Sequence, residues 1–227
     1  MPKPIVVFDL DGTLVDTAPD LLDSLNHCLA AAGEEKVDPV ALRRYVGQGG
    51  RVMIERAFEA QRKHLSPEQL DWLQELFIEH YGAHMPGHSA LYEGAAAAMD
   101  DLAAAGYLLA VCTNKFEGLA VELLTGLGQA PRFAAISGSD TFAFRKPDPR
   151  HLTETIRVAG GDPERAVMIG DSKTDIDTAK AAGIPVVAVD FGYSDLPVAS
   201  YDPSRVISHF SELKVALIGG LIATVNA

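Results

Sequence analysis

The sequence predicts an α/β fold, a doubly wound parallel sheet core with an all-helical cap inserted after the first strand. Three observations carry this expectation. Short runs of β-branched and aromatic residues recur along the chain, beginning with Ile5-Val6-Val7-Phe8, and runs apolar at every position mark strands covered on both faces. These runs alternate with helical patterns, as in βα units joined into a parallel sheet. Between residues 17 and 85 the alternation stops and every pattern is helical. The expected division is a core of residues 1–16 and 86–227 and a cap of residues 17–85.

The first strand, 5–8, runs straight into Asp9. The cap opens at Thr17-Ala18-Pro19-Asp20, where an N-cap residue, an early proline and an acid precede Leu21, Leu22, Leu25 and Leu29 on one face. Asp38-Pro39 starts another helix. Ser66-Pro67-Glu68-Gln69 forms a capping box ahead of Leu70, Leu73, Leu76 and Phe77 at helical spacing. In the core, strands are expected at 108–112, 166–169 and 186–189, with a weaker one at 134–136. Helices are expected over 94–105, 119–127, 151–159 and 174–182.

The 227 residues are 48% apolar and 22% charged, ordinary for a soluble globular protein. Cys28 and Cys112 lie far apart in apolar stretches and read as core thiols. The apolar run after Met1-Pro2-Lys3-Pro4 is too short for a signal-peptide core, and the apolar tail at 215–223 falls below the ~18 residues of a transmembrane helix. A cytoplasmic location is therefore expected. A formal charge of −12 repels nucleic acid and anionic membrane, so neither is expected as a partner. A phosphate-bearing ligand meets the same repulsion, so any anion site must be built locally from a metal ion and a few cations.

The strongest chemical signal is Asp9-Leu10-Asp11-Gly12-Thr13-Leu14-Val15-Asp16, directly after the first strand. Ligands of open α/β sheets bind beyond the carboxyl ends of the strands, so Asp9 and Asp11 should face that crevice. A carboxylate there can attack phosphorus, and a second one nearby can protonate the leaving alkoxide and then activate water. Gly12 lets backbone approach a ligand closely. A calcium loop fails, because the glycine and glutamate it requires are replaced by Leu14 and Asp20.

This segment resembles the first motif of the haloacid dehalogenase-like hydrolases, and three further motifs follow in order. Thr113-Asn114 resembles the second, which binds the phosphoryl group. Lys146, within Arg145-Lys146-Pro147-Asp148, resembles the third, a lysine that pairs with the nucleophile and phosphate. Gly170-Asp171-Ser172-Lys173-Thr174-Asp175 resembles the acidic fourth motif. The resemblance implies an Mg²⁺-dependent phosphatase with an aspartyl-phosphate on Asp9, acid–base catalysis by Asp11, and metal ligation by Asp9, the Asp11 carbonyl and Asp171. Asp175 would orient metal-bound water or Lys146.

Asp11 argues against the dehalogenases, whose halide leaving group needs no proton. No cap lysine lies in a glycine-flanked loop, which argues against the phosphonate-cleaving branch. The cap segment Tyr45-Val46-Gly47-Gln48-Gly49-Gly50-Arg51 resembles the specificity loop of the phosphoglycolate phosphatases, with Gly47 and Gly49 pressing near a small phosphoester and Arg51 meeting a carboxylate. Phe191-Gly192-Tyr193 resembles the same branch. Sugar-phosphate phosphatases, pyrophosphatases and phosphomutases of the same superfamily stay open as alternatives. Outside it, a phospho-accepting signalling module shares the acids, the threonine and the lysine but lacks a helical cap.

Overall fold

The computed structural model describes residues 2–38, 46 and 49–225. In chain order its strands are β1 (Lys3–Phe8), β2 (Val15–Asp16), β3 (Ala90–Leu91), β4 (Leu108–Cys112), β5 (Ala135–Ser137), β6 (Gly161–Gly170), β7 (Val186–Val189) and β8 (Arg205–Ile207). Six of them form one sheet in the order β5-β4-β1-β6-β7-β8, every neighbouring pair parallel. The order reverses between β1 and β6, and the crevice at their carboxyl ends is where such sheets bind ligands.

The apolar runs are explained by burial on two faces. Val6, Phe8, Val111, Val167, Ile169 and Val187 point into one core, and Ile5, Val7, Ala110, Cys112, Met168 and Ala188 into the other. Neither face meets water, so polar alternation is absent.

Among the described residues, three helices between β2 and β3 build the cap: α1 (Ala18–Ala31), α2 (Gly50–Ala60) and α3 (Pro67–His84). Leu25, Leu29, Met53, Ile54, Leu73 and Phe77 close a separate apolar core among them. The capping box at Ser66 forms as expected: Ser66 Oγ accepts from the Gln69 amide at 3.2 Å, and Gln69 Oε1 accepts from the Ser66 amide at 2.9 Å. The remaining helices flank the sheet: α4 (Ala95–Ala104), α5 (Glu117–Gly126), α6 (Pro149–Val158), α7 (Lys173–Ala181) and α8 (Val215–Val225). Buried residues of α4, α5 and α8 cover the first face, and those of α6 and α7 the second. No helix among the described residues is long and apolar enough to cross a membrane.

The structure departs from expectation, or adds to it, in five places. Strand β6 begins at Gly161, because Gly161 pairs with Lys3 beyond an irregularity in the ladder. The run at 186–189 is not the last strand, since β8 pairs with it. The apolar tail is the helix α8, whose Ile218 is buried against the sheet. Thr17 makes no side-chain cap; its hydroxyl donates instead to Asp11 Oδ1 at 2.7 Å. Gly12 does not free an amide for a ligand, because its N–H donates to the Val15 carbonyl at 2.9 Å. The helix expected after Asp38-Pro39 and the loop residue Gly47 fall outside the described residues.

Candidate active site

Strands β1 and β6 end side by side, and each hands its next residue to the same crevice: Asp9 after β1, Asp171 after β6. Lys146 enters from the loop before α6, and Asp175 from the first turn of α7. Lys146 Nζ lies 2.8 Å from Asp9 Oδ1 and 2.6 Å from Asp175 Oδ1. The other oxygen of Asp175 accepts from the Ser172 amide at 3.1 Å and the Ser172 hydroxyl at 2.7 Å. Asp175 thus fastens the turn after β6 to Lys146.

All four groups are buried, Asp175 and Lys146 at 0% and 3% exposure. Burial, then the neighbouring Asp175 against the pull of Lys146, pushes the Asp9 carboxyl up to about 7. Burial, Asp175 and Asp9 push Asp171 up to about 8, opposed by hydrogen bonds from the Tyr193 amide and the Thr13 hydroxyl at 2.7 and 2.8 Å. Burial opposes the charge on Lys146, but Asp175 and Asp9 outweigh it and hold the ammonium above the usual lysine range.

Asp11 stands beside this cluster and has its own cation. Lys115 Nζ donates to Asp11 Oδ1 at 2.9 Å and to Oδ2 at 3.1 Å, and lies 4.4 Å from the ring centroid of Tyr81, on cap helix α3. Burial opposes the Lys115 charge; Asp11 and Tyr81 more than offset it and keep it protonated. Sequence reasoning missed Lys115, since a lysine after a strand reads as solvated. The signal was its position directly behind Thr113-Asn114.

Thr113, Asn114, Gly49 and Arg51 all line a cavity of about 380 Å³ between core and cap, with Asp9, Asp11 and Lys146 on its wall. Thr113 Oγ1 accepts from the Lys115 amide at 3.2 Å. Asn114 Nδ2 donates to the Lys146 carbonyl at 3.0 Å, tying the second motif to the third. Arg51 is held by Asp71 at 2.6 Å and Gln74 at 2.8 Å, both on α3. His151 was also missed: its Nδ1 accepts from the Lys146 amide at 3.1 Å, and burial, then Lys146, depress its pKa to about 4.

Tyr193 ties the core to the base of the cap. Its hydroxyl accepts from the Thr17 and Ala18 amides at 2.8 and 2.9 Å and donates to Asp16 at 2.6 Å. Glycine is required at position 12, where φ is +80° and a Cβ would stand 2.6 Å from Asp171 Oδ2 and 2.7 Å from the Tyr193 ring. That closeness serves Asp171 and Tyr193 rather than a ligand.

A hard divalent cation fits this donor set. Carboxylate oxygens of Asp9, Asp171 and Asp175 lie within 4.8 Å of one another, and the buried Asp9 Oδ1 is met by the Lys146 ammonium at 2.8 Å. Four carboxylates, those of Asp9, Asp11, Asp171 and Asp175, face two ammonium groups, those of Lys115 and Lys146. The excess of two negative charges matches one Mg²⁺, which takes such oxygen ligands. Both oxygens of Asp175 are engaged by Lys146 and Ser172, and both of Asp171 by the Thr13 hydroxyl and the Tyr193 amide, which leaves Asp9, contacted at one oxygen by Lys146, as the most available of the three carboxylates.

Comparison with known proteins identifies the family. The haloacid dehalogenase-like hydrolase family model matches residues 6–189. A phosphoglycolate phosphatase of Mesorhizobium japonicum is 62% identical over 98% of both chains. Among solved structures, a predicted phosphoglycolate phosphatase from Haemophilus somnus superposes with a TM-score of 0.86 at 29% identity, over 93% of this chain and 96% of its own. A CbbY variant from Rhodobacter sphaeroides in complex with xylulose-(1,5)bisphosphate does so with a TM-score of 0.79 at 27% identity, over 96% and 99%. The chain belongs to the haloacid dehalogenase-like hydrolases, and within them it is a phosphoric monoester hydrolase.

Proposed function

We propose that this enzyme hydrolyses 2-phosphoglycolate to glycolate and phosphate through an aspartyl-phosphate on Asp9. The observation that carries the mechanism is the buried contact of Asp9 with Lys146, itself fixed by Asp175, at the wall of a cavity that also holds Asp11. The Asp9 carboxylate attacks phosphorus and the ester oxygen departs. Asp11, placed by Lys115 and Thr17, exchanges the Lys115 contact for a proton from solvent as substrate binds, gives that proton to the departing oxygen, and then as a carboxylate takes a proton from the water that attacks the phospho-aspartate. Lys146 offsets the charge of Asp9 and of the incoming phosphoryl group, while Thr113 and Asn114 orient its oxygens.

Asp9, Asp171 and the Asp11 carbonyl would hold Mg²⁺. When bound, the ion neutralises phosphoryl charge and fixes the phosphoryl group against Asp9. Beside the β2/β3 ribbon, Tyr193 fixes the base of the cap to the core.

The substrate is supported by the name of the 62% identical relative and by a cavity near the small end of the range for ligand sites. The xylulose bisphosphate bound by a structural neighbour favours a sugar phosphate as the second reading. Phosphate release should be measured across 2-phosphoglycolate, pentose and hexose phosphates, nucleotides and pyrophosphate. The reading predicts the highest kcat/KM for 2-phosphoglycolate. A preference for a sugar phosphate, or isomerisation of a hexose phosphate without phosphate release, would replace it.

A further inference from the structure

Among the described residues four cationic side chains line the cavity, and three are already committed. Lys146 is paired with Asp9 and Asp175, Lys115 with Asp11, and Arg51 with Asp71. The fourth, Arg145, makes no ion pair or side-chain hydrogen bond among the described residues, and is exposed at the cavity edge. Its backbone is nonetheless firmly held. The Arg145 carbonyl accepts from the Asp148 amide at 2.9 Å. The next residue is anchored at three atoms: its amide to His151, its carbonyl to Asn114 and its Nζ to Asp9 and Asp175. An unpaired guanidinium therefore projects from a fixed point one residue from the lysine that meets the phosphoryl group.

In a protein of net charge −12, with four carboxylates clustered at the reacting centre, a substrate bearing two anionic groups needs a second uncompensated cation. Arg51 could supply it only by leaving Asp71 and Gln74. Arg145 supplies it without breaking any contact, and a guanidinium meets a carboxylate bidentately. We infer that Arg145 is the specificity-determining residue that reads the second anionic group of the substrate, pairing with a carboxylate on the leaving group. This rests on the proposed phosphatase site and on a carboxylate-bearing ester as its substrate.

The test pairs 2-phosphoglycolate with 2-hydroxyethyl phosphate, which replaces the carboxylate by a neutral hydroxymethyl group. It also pairs 3-phosphonopropionate with 3-hydroxypropylphosphonate, two non-hydrolysable ligands differing in the same way. All four are measured in Mg²⁺ against wild type, Arg145→Met, Arg145→Lys and Arg51→Met, by phosphate release or calorimetry. Arg145→Met should lower kcat/KM for 2-phosphoglycolate by about 10- to 100-fold, chiefly through KM. The neutral ester should lose far less, and the calorimetric preference for the carboxylated phosphonate should collapse by a similar factor. Arg145→Lys should recover part of both. Equal losses on the two esters, an unchanged phosphonate preference, or collapse of that preference in Arg51→Met instead would overturn the inference. If wild type turns over both esters equally, the substrate reading falls. The phosphonate pair then still decides Arg145: a carboxylate preference lost in Arg145→Met supports it, and no preference in wild type overturns it.

Discussion

Lys146→Met removes the ammonium that lies 2.8 Å from Asp9 and 2.6 Å from Asp175, in a side chain only 2% exposed. Methionine keeps the length of the side chain, so the loss is mainly of charge. Breaking a buried ion pair by removing one partner costs about 3–5 kcal/mol. In a chain of this size each kcal/mol moves Tm by ~2–4 °C, so a fall of roughly 6–20 °C is expected at pH 8 in metal-free buffer. The two stranded carboxyls can escape by taking up protons, and burial already pushes Asp9 up to about 7. The deficit should therefore shrink at pH 6. Adding Asp175→Asn to the variant removes one of the stranded charges, so the double variant should be more stable than the sum of the two single losses by ~1 kcal/mol or more. With Mg²⁺ present, kcat/KM should fall by about 10²- to 10³-fold. Melting curves read by circular dichroism and a phosphate-release assay measure both effects. A Tm loss below ~2 °C at pH 8, or strict additivity with Asp175→Asn, would refute the role given to Lys146.

Asp11→Asn should slow esters with poor leaving groups far more than activated aryl phosphates, because only the former need a proton in the first step; equal losses would contradict its acid role. Chelation should abolish phosphate release and added Mg²⁺ restore it, as measured by a coupled phosphate assay. The same site makes the metal-free protein sensitive to alkali. Asp9 near 7 and Asp171 near 8 lie above the ordinary carboxyl value of 3.8, so the folded state binds those protons more tightly than the unfolded chain. Their contribution is present at low pH and is lost as pH rises towards 8. The Tm of the metal-free protein should therefore fall progressively from about pH 4 to about pH 8 and level off above that, and Mg²⁺ should flatten that fall. A flat profile in chelator would count against the burial of these charges.

The parts of the fold legible in the sequence are those where one local rule acts alone. The runs at 5–8, 108–112, 166–169 and 186–189 are apolar at every position because both sheet faces are buried, and that pattern needs no tertiary knowledge. Asp9 and Asp171 were legible for the same reason, as the first polar residues past such runs. The early part of β6 was hidden, since Asp162, Pro163 and Glu164 read as a loop until Lys3 is seen to pair there. In β8 only Ile207 is buried, too little for a pattern. The β2/β3 ribbon pairs two-residue segments far apart in the chain. Lys115 was illegible because its burial depends on Asp11 and on Tyr81 of the cap. Arg51 looked free because Asp71, which holds it, lies on a different helix.

The central claim is that Asp9 carries the phosphoryl group. Acid-quenching the enzyme during turnover of 2-phosphoglycolate, followed by proteolysis and mass spectrometry, tests it directly, and Asp11→Asn given an activated aryl phosphate, whose leaving group needs no proton, should raise the trapped fraction by slowing hydrolysis. The peptide containing Asp9 should gain the mass of one phosphoryl group, and borohydride should convert that residue to homoserine; Asp9→Asn should give neither. Phosphorylation of another residue, or sustained turnover with Asp9 unmodified in both wild type and Asp11→Asn, would contradict the account.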